Sequence, residues 1–257
     1  MRSLRVLVTR PAHQAEPLIT RLRVAGHLPL PCPTLAIDAL DAAPIPAGTG
    51  TGEPTCDIAI FVSANAVHFA HRIESLTQQL RRVPTVFAIG SATAWALHTL
   101  GVPAHTPPHG DFRSETLLNH ATFAAVAGKR VSIFKGAGGR TLLAEQLRAR
   151  GATVVEHVVY KRRAVADSES KHTQNQHFCA DVIQVGSNEA LDNLVTITPT
   201  SMRDRLFTTA LIVNSERGKR HAETLGFSAR IHVAHPAGDD GQLAALARLA
   251  IPETTRQ

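Results

Sequence analysis

The sequence contains the same strand-to-helix unit twice, and this internal repeat constrains the fold more than any other feature. AIFVSANAV and VIQVGSNEAL each pass from an apolar, β-branched run through a serine into a possible helix. A second matching turn follows each of them after 28 residues, from Ser63 to Ser91 and from Ser187 to Ser215. Equal spacing in two places indicates one supersecondary unit used twice.

Two further segments repeat as well. RVLVTRPAHQAEPLITRLRVAGHLPL at 5–30 aligns with RVSIFKGAGGRTLLAEQLRARGATVVE at 130–156, and both predict a strand, an amphipathic helix, a glycine stop and a second strand. VPAHTPPHGDFRSETLL at 102–118 and IHVAHPAGDDGQLAAL at 231–246 each predict a short strand and a polar loop before a helix. All the elements of one domain are therefore present twice.

The order of these units along the chain predicts two domains, one inserted into the other. A complete set of units occupies residues 40–156, while residues 1–35 and 166–257 together supply the second set. The chain then crosses between the domains at 30–40 and 154–165. Alternating strands and helices predict an α/β fold in which two doubly wound parallel-sheet domains of similar build are joined by a two-stranded crossover. The Pro/Gly/Thr-rich segment at 41–56 predicts a surface loop or a mobile linker.

The composition limits the classes of protein to which this chain could belong. No apolar run approaches the roughly 20 residues that span a bilayer, and MRSLRVLVTRP turns polar too early for a secretory signal. A cytoplasmic protein is therefore expected. The net charge of +6 would suit nucleic acid, but aromatic residues are only 4% and the basic residues are scattered, so a small polyanionic ligand fits equally well.

Neither the cysteines nor the histidines have the spacing of a metal site. Cys32, Cys56 and Cys179 are far apart and odd in number, so reduced thiols are expected rather than a disulfide framework or a zinc site. His68 and His71 form a near pair without an HExxH motif or an acidic cluster. No metal site is expected.

The candidate site lies at the turns where strands end and helices begin. In doubly wound sheets, ligands bind outside the carboxyl ends of the strands, where helix N-termini present free N–H groups and a partial positive charge. The repeat places six turns at such positions: Thr9–Arg10, Ser63–Asn65, Ser91–Thr93, Lys135–Gly139, Ser187–Asn188 and Ser215–Arg217. Turns of both domains are expected to surround a cleft for a molecule with several carboxylates or phosphates. Each serine is also an ordinary N-cap residue, so capping is the alternative to ligand contact.

No nucleophile or phosphate-loop motif occurs, and a cofactor-free site is the simpler interpretation. GxSxG and GxxxxGK[ST] are absent, and GAGG at 136–139 lacks the spacing of a dinucleotide fingerprint. Tyr160 is the single tyrosine and lies on the second crossing, beside Lys161–Arg163. A tyrosine on a strand commonly packs with its hydroxyl at the surface, so packing and a role in the cleft are both open for this residue.

Taken together, these segments resemble the uroporphyrinogen-III synthase family. The resemblance covers nearly the whole chain and rests on the order and spacing of VLVTRPAHQAEPLITRL, FVSANAV, AIGSATAWAL, SETLL, GRTLLAEQLRARGATVVEHVVYKR and SERGKRHAETLGF. It implies cyclisation of hydroxymethylbilane to uroporphyrinogen III, with loss of water, inversion of the last pyrrole ring and no metal or organic cofactor. The implied partner is this small molecule, a linear tetrapyrrole with eight carboxylates. A monomer is expected, with neither nucleic acid nor membrane as a partner.

The resemblance also implies roles for individual residues. Tyr160 matches the family's tyrosine on the crossing and Thr93 matches the threonine of its G-x-x-T-A turn, so these two are the candidate catalytic residues, at the departing hydroxyl and at ring carboxylates. The residues expected to bind the substrate are Arg10, Ser63, Ala64, Asn65, Ser91, Lys135, Gly136, Ser187, Asn188, Ser215 and Arg217. The polar Gln184, in a strand that is usually apolar, departs from the family pattern.

Alternatives from other classes remain open at this point. A two-lobed binding protein of the periplasmic kind also crosses between α/β lobes, although such a protein would begin with a signal peptide. A non-catalytic relative of the same fold, binding a tetrapyrrole or another polyanion as a regulator, would have the same sequence features. Product analysis after incubation with hydroxymethylbilane would separate the enzyme from the regulator.

Overall fold

The structure is a computed structural model that describes residues 2–40, 54–73, 75–107, 114–139, 141–165 and 179–250. The expected loops at 41–56 and 166–180 lie largely outside these residues. The chain divides into two compact units, of which the first is Met1–Ala36 with Arg163–Gln257 and the second is Ile37–Arg162.

The first unit is a five-stranded parallel sheet between two layers of helices. Its strands, in order across the sheet, are β10 (Ile231–Val233), β9 (Ala210–Val213), β8 (Val182–Val185), β1 (Arg5–Val8) and β2 (Leu28–Pro31). Its helices are α1 (Ala12–Val24), α7 (Asn188–Ile197), α8 (Arg203–Phe207), α9 (Glu216–Thr224) and α10 (Asp239–Leu249). Alternate strand residues point to opposite faces, so each face of the sheet has its own core. Ile183 packs with residues of α7, α8 and α9, whereas Val182 packs with residues of α1 and α10.

The second unit is also a five-stranded sheet with helices on both faces, but one of its edge strands is antiparallel. Its strands, in order across the sheet, are β3 (Leu35–Ala39), β7 (Thr153–Ala164), β6 (Arg130–Gly136), β4 (Ile58–Phe61) and β5 (Thr85–Ala88). Its helices are α2 (Ala64–Ala70), α3 (Leu76–Leu80), α4 (Ser91–Thr99), α5 (Ser114–Leu118) and α6 (Leu142–Ala149). The pairings among β7, β6, β4 and β5 are all parallel.

The two segments that link the units are neighbouring strands. β3 lies beside β7, and the N–H groups of Leu40 and Val165 donate to the carbonyl oxygens of Val159 and Thr34, respectively. Partner numbers fall along β7 as they rise along β3, so these two strands run antiparallel. The predicted two-stranded crossover and the doubly wound α/β fold are both confirmed.

Repeat-related strands occupy the same order in the two sheets, with one exception. β2, β1, β8 and β9 correspond to β7, β6, β4 and β5, but the counterpart of β10 is an isolated bridge between His105 and Phe87. The short strand expected near His105 is therefore wrong for the described residues. Pro103 and Pro107 flank the bridge, and proline lacks the N–H that a ladder needs.

An Asp–Arg pair stands at the amino end of each sheet. Asp181 accepts hydrogen bonds from the Arg5 N–H at 2.8 Å and guanidinium at 3.0 Å, and Asp57 accepts them from the Arg130 N–H at 2.7 Å and guanidinium at 3.5 Å. The Arg5 side chain is the main group that lowers the pKa of Asp181, and the Arg130 backbone N–H is the main group that lowers the pKa of Asp57. Both carboxyls are therefore ionised at neutral pH, and they fix the starts of the repeat-related strands β1 and β6.

Candidate functional site

A cavity of about 320 Å³ lies at the carboxyl ends of β4 and β6 in the second unit. Its polar side chains are Ser63, Lys135, Glu156, Tyr160 and Arg162, and the backbone of the glycine-rich segment after β6 completes the lining. From β4 the chain continues to β5 on one side of the sheet, whereas from β6 it continues to β7 on the other. Such a reversal of strand order is where doubly wound sheets bind their ligands.

Tyr160 is held against the sheet with its hydroxyl at the cavity. The residue is 4% exposed, and its ring lies 5.6 Å from that of Phe69. A register shift between Lys135 and Gly136 sets Gly136 opposite Tyr160, where a Cβ would lie only 2.5 Å from the tyrosine Cζ. The phenol oxygen is 3.1 Å from Ser63 Oγ. The ring therefore packs within the unit, and its hydroxyl lies beside Ser63, another residue of the cavity lining.

Ser63 is both a helix cap and a cavity residue. It has extended backbone before α2, and its Oγ accepts the Ala66 N–H at 3.1 Å. Ala64 and Asn65 are the first two residues of that helix and are half-buried. Neither of them is among the residues that line the cavity. Among these turn residues, the structure brings only Ser63 to the cavity.

Lys135 lies in the cavity as a member of an ion cluster. Its Nζ is 2.9 Å from Glu156 Oε2, and Glu156 Oε1 is 3.0 Å from an Arg148 nitrogen. The Lys135 ammonium, followed by the Arg148 guanidinium, holds the pKa of Glu156 below its ordinary value. The Lys135 side chain is only 13% exposed, and its charge is paired with that of Glu156. Lys135 and Gly136 are also the last residues of β6, so the turn begins at Ala137.

Ser91 and Thr93 lie in the first turn of α4, outside the cavity lining. The expected serine cap is wrong here, because Gly90, with φ of 106°, is the N-cap and the helix has no side-chain cap. Thr93 is buried, and its hydroxyl donates to the Ile89 carbonyl oxygen at 3.1 Å. Its proton is thus engaged within its own helix.

The first unit has a smaller cavity of about 100 Å³ at the carboxyl ends of β8 and β9. Ser187, Asn188, Ser215 and Arg217 all line it. Both serines cap their helices, each accepting the backbone N–H three residues later, at 3.2 and 3.1 Å. The four predicted residues are therefore brought together in one place.

Arg10 belongs to a polar network at the same edge of the first sheet. Its guanidinium contacts Asp239 and donates to Gln242 Oε1 at 3.0 Å. The buried Gln242 donates to Asn214 Oδ1 at 2.8 Å, and Asn214 donates to the Gly186 carbonyl oxygen at 3.3 Å. Arg10 thus ties together loops that follow several strands, and its charge is compensated within the unit.

The described residues contain no group of three or more His, Cys, Asp or Glu that could hold a metal ion. Cys32, Cys56 and Cys179 form no disulfide bonds, and the first two are buried. In the part of the chain that the structure describes, no helix is long and apolar enough to cross a membrane.

Comparison with known proteins assigns the chain to a family. The family model for uroporphyrinogen-III synthase HemD matches residues 16–240. The uroporphyrinogen-III synthases of Escherichia coli (strain K12) and Salmonella typhimurium are each 35% identical to this chain, over 94% of it and 99% of their own length. The chain belongs to the uroporphyrinogen-III synthase family.

Solved structures of uroporphyrinogen-III synthases have the same fold. The enzyme from Helicobacter pylori has a TM-score of 0.57 at 15% identity, covering 97% of this chain and 100% of that one. A mutant enzyme from Thermus thermophilus has a TM-score of 0.54 at 17% identity, covering 96% of this chain and 100% of that one. At such low identities the likeness concerns the fold alone.

Two polar side chains of the cavity are not among the residues predicted for this member of the uroporphyrinogen-III synthase family. Glu156 and Arg162 line the cavity with Tyr160, and all three lie on β7. The register shift between Lys135 and Gly136 interrupts the alternation of faces between Glu156 and Tyr160, so no regular period in VVEHVVYKRR identifies them.

Proposed function

We propose that this chain is a uroporphyrinogen-III synthase, a cyclising lyase of tetrapyrrole (haem) biosynthesis. It converts hydroxymethylbilane to uroporphyrinogen III with loss of water and inversion of the last pyrrole ring. Family membership over most of the chain supports the reaction. The single observation in the structure that supports this reaction is the position of Tyr160. Its side chain lines a cavity at the reversal of strand order in the second sheet.

The reaction begins when the terminal hydroxyl of the substrate leaves. Hydroxide is a poor leaving group, so a donor that delivers a proton to this oxygen allows it to leave as water. A phenol can donate that proton without being charged itself. The cavity side of Tyr160 is therefore the proposed place for the hydroxymethyl end of the substrate.

The remaining steps depend on how the substrate is folded. Loss of water gives a cationic azafulvene, which a substituted ring carbon attacks, and the spirocyclic intermediate then fragments and recloses. The protein must hold the substituted ring carbon, rather than the nearer unsubstituted ring carbon, against the cation. This is a positioning effect. The proton lost from carbon at the final closure balances the one given to the departing hydroxyl and restores the phenol.

The proposed carboxylate sites are the helix starts at the carboxyl edges of the two sheets. Backbone N–H groups at these positions favour anions, and the net charge of +6 suits a substrate with eight carboxylates. Within the first unit the proposed ligands are Ser187, Asn188, Ser215, Arg217 and, through the edge network, Arg10. Within the second unit they are Ala64, Asn65, Ser91, Lys135 and Gly136, whereas the Ser63 hydroxyl lies beside that of Tyr160.

Thr93 is the second candidate for the proton donor. Its hydroxyl already donates to the Ile89 carbonyl oxygen, so it would have to break that bond before it could protonate the substrate. Tyr160 faces no such requirement, because the partner of its hydroxyl is Ser63, which can either donate or accept. Tyr160 is therefore the preferred donor.

We further propose that the chain acts as a cytoplasmic monomer and that its two compact units are the two domains predicted by the repeat. The separate buried cores of each unit support this domain assignment. Light scattering after size-exclusion chromatography measures the oligomeric state, and a stable dimer would contradict the monomer.

The test of the reaction is an isomer analysis. Purified protein is incubated with freshly prepared hydroxymethylbilane, and the oxidised products are resolved into type III and type I isomers. Type III as the main product is expected, since unassisted cyclisation gives type I. If the substrate quenches the fluorescence of Trp95, the single tryptophan, yet the product stays type I as in buffer, the protein is a non-catalytic binder and the proposal is wrong.

A further inference from the structure

Ser63 differs from two otherwise equivalent serine caps in what its hydroxyl contacts. Ser63, Ser187 and Ser215 have φ values of −162°, −152° and −161°, and each accepts the N–H three residues later. Only the Ser63 oxygen also lies against a phenol, 3.1 Å from that of Tyr160 among the described contacts. Capping accounts for all three serines, but it leaves the phenol contact unexplained.

The phenol cannot easily turn away from Ser63. Its ring contacts Phe69 on one side and lies over the Cα of Gly136, where any Cβ would overlap it. The next N–H along the chain, that of Ala137, donates to the Tyr160 carbonyl oxygen at 2.7 Å and holds the backbone as well. The distance between the two hydroxyls is therefore set by packing.

The hydrogen-bond capacity of Ser63 allows the bond to reverse during the reaction. A serine hydroxyl has one proton and two lone pairs. The Ala66 N–H occupies one lone pair, so the second lone pair and the proton remain for Tyr160. When the phenol gives its proton away, its oxygen becomes negative and can only accept, so the bond must then run from Ser63 to Tyr160.

We propose that Ser63 is a positioning residue for proton transfer rather than a ligand of a substrate carboxylate. It holds the Tyr160 hydroxyl at the cavity and donates a hydrogen bond to the Tyr160 oxygen as the phenol protonates the departing hydroxyl. In this step the phenol O–H bond and the substrate C–O bond break, and a new O–H bond forms in the departing water. The electron pair of the broken O–H bond stays on the phenol oxygen, and Ser63 keeps its own proton. The inference rests on the proposed function.

The kinetic test is a double-mutant cycle. Ser63→Ala is expected to lower kcat about tenfold with KM unchanged within about twofold, because the lost bond strengthens only in the transition state. Ser63→Thr keeps the hydroxyl and the cap, and it should recover most of kcat. In the Tyr160→Phe background, Ser63→Ala should have no further effect. A further tenfold loss in that background, or a rise in KM with kcat unchanged, would overturn the proposal.

A second measurement does not depend on turnover. Because the chain has a single tyrosine, protein labelled with ¹³C at tyrosine Cζ gives one resonance, which reports on the hydrogen bond of that phenol. Ser63→Ala should displace this resonance, whereas Ser63→Thr should restore it. Ser187→Ala removes a matched cap in the first unit and should leave the resonance where it is. An unchanged resonance in Ser63→Ala would refute the contact.

The two failures are distinguishable. A wild-type protein that gives only the type I isomer contradicts the proposed function, and the resonance still decides whether Ser63 holds the phenol. A wild-type protein that gives type III, combined with additive losses in the cycle, contradicts only the role of Ser63. Melting temperatures of Ser63→Ala and Ser187→Ala measure the cost of losing a cap, and Ser63→Ala is expected to fall by at least as much because it also removes the partner of the Tyr160 hydroxyl.

Discussion

The carboxyl edges of the two sheets share strand order and serine turns, yet they are held together differently. In the first unit, Asn214 precedes the second serine of the repeat, and its amide bonds to Gln242 and Gly186. In the second unit, Gly90 stands at the corresponding position and has no side chain to bond with. The first edge has a cavity of about 100 Å³ and the second one of about 320 Å³. The comparison indicates that one fold can join the loops of this edge by side-chain hydrogen bonds, as in the first unit, or leave a larger cavity there, as in the second.

The repeat-related cations Arg10 and Lys135 show the same divergence. Arg10 pairs with Asp239 from the first turn of α10, so it joins distant loops. Lys135 pairs with Glu156 from the adjacent strand and stays at the cavity. Equivalent residues therefore link distant loops in one unit and line the candidate cavity in the other.

The largest expected effect is that of Tyr160→Phe, which tests whether the cavity of the second unit is the reacting one. Removing the hydroxyl while keeping the ring should lower turnover roughly a hundredfold, within the range that general acids supply. The ratio of type III to type I product should fall too. The melting temperature should stay close to that of the wild type, because the ring contacts remain. Normal turnover with a normal isomer ratio would leave Tyr160 with a packing role only.

Gly136→Ala should have the next largest effect, because the added Cβ would lie 2.5 Å from Tyr160 Cζ. Forcing the ring aside is expected to cost about 1–3 kcal/mol of stability and to reduce turnover of the folded protein as well. Gly186→Ala is the matched control on the first sheet, since its nearest neighbour would be 3.9 Å away. Urea denaturation followed by far-UV circular dichroism, which reports on both units, measures the cost, and equal stability of the two variants would contradict the close approach.

Arg10→Met tests the polar network that Arg10 forms with Asp239 and Gln242 at the edge of the first sheet. The substitution leaves the buried Gln242 oxygen without its Arg10 donor, which should cost about 1–2 kcal/mol. Arg23→Met removes an exposed pair with Glu16 at 3.8 Å and should cost less than about 0.5 kcal/mol. Far-UV circular dichroism in urea measures both. Should the two variants unfold at the same midpoint, the network does not stabilise this edge.

The smallest expected effect concerns Asp57 and Asp181 at the opposite ends of the sheets. Each carboxyl has a lowered pKa in the folded state, so the unfolded state takes up the proton first as the pH falls. The stabilisation is present above the ordinary carboxyl pKa and is lost as the pH falls through the folded value.

Asp57→Asn and Asp181→Asn should therefore each cost about 1 kcal/mol at neutral pH and flatten the loss of stability below about pH 5. Asp181→Asn should have the larger effect, because its guanidinium distance is 3.0 Å against 3.5 Å for Asp57. Thermal melts across this pH range measure the difference. If stability falls with pH as steeply in both variants as in the wild type, the two pairs do not contribute to stability.

The sequence alone determined the repeat and, through it, most of the fold. Equal spacing of the serine turns predicted two α/β units with corresponding strands, whereas the position of Tyr160 on the second crossing left packing and a role in the cleft both open. It also predicted that Ser187, Asn188, Ser215 and Arg217 would share one edge. Periodicity and spacing suffice for such predictions because they set which residues end an element and on which face they lie.

Only the tertiary structure decided which groups touch. The sequence could not show that Gly136 gives room to the Tyr160 ring, that Lys135 is paired with Glu156, or that Gly90 replaces Ser91 as a cap. Each of these depends on a local register shift, a pairing between strands or a backbone angle. Such features arise when elements distant in the chain are packed against one another, and no period within a single element encodes them.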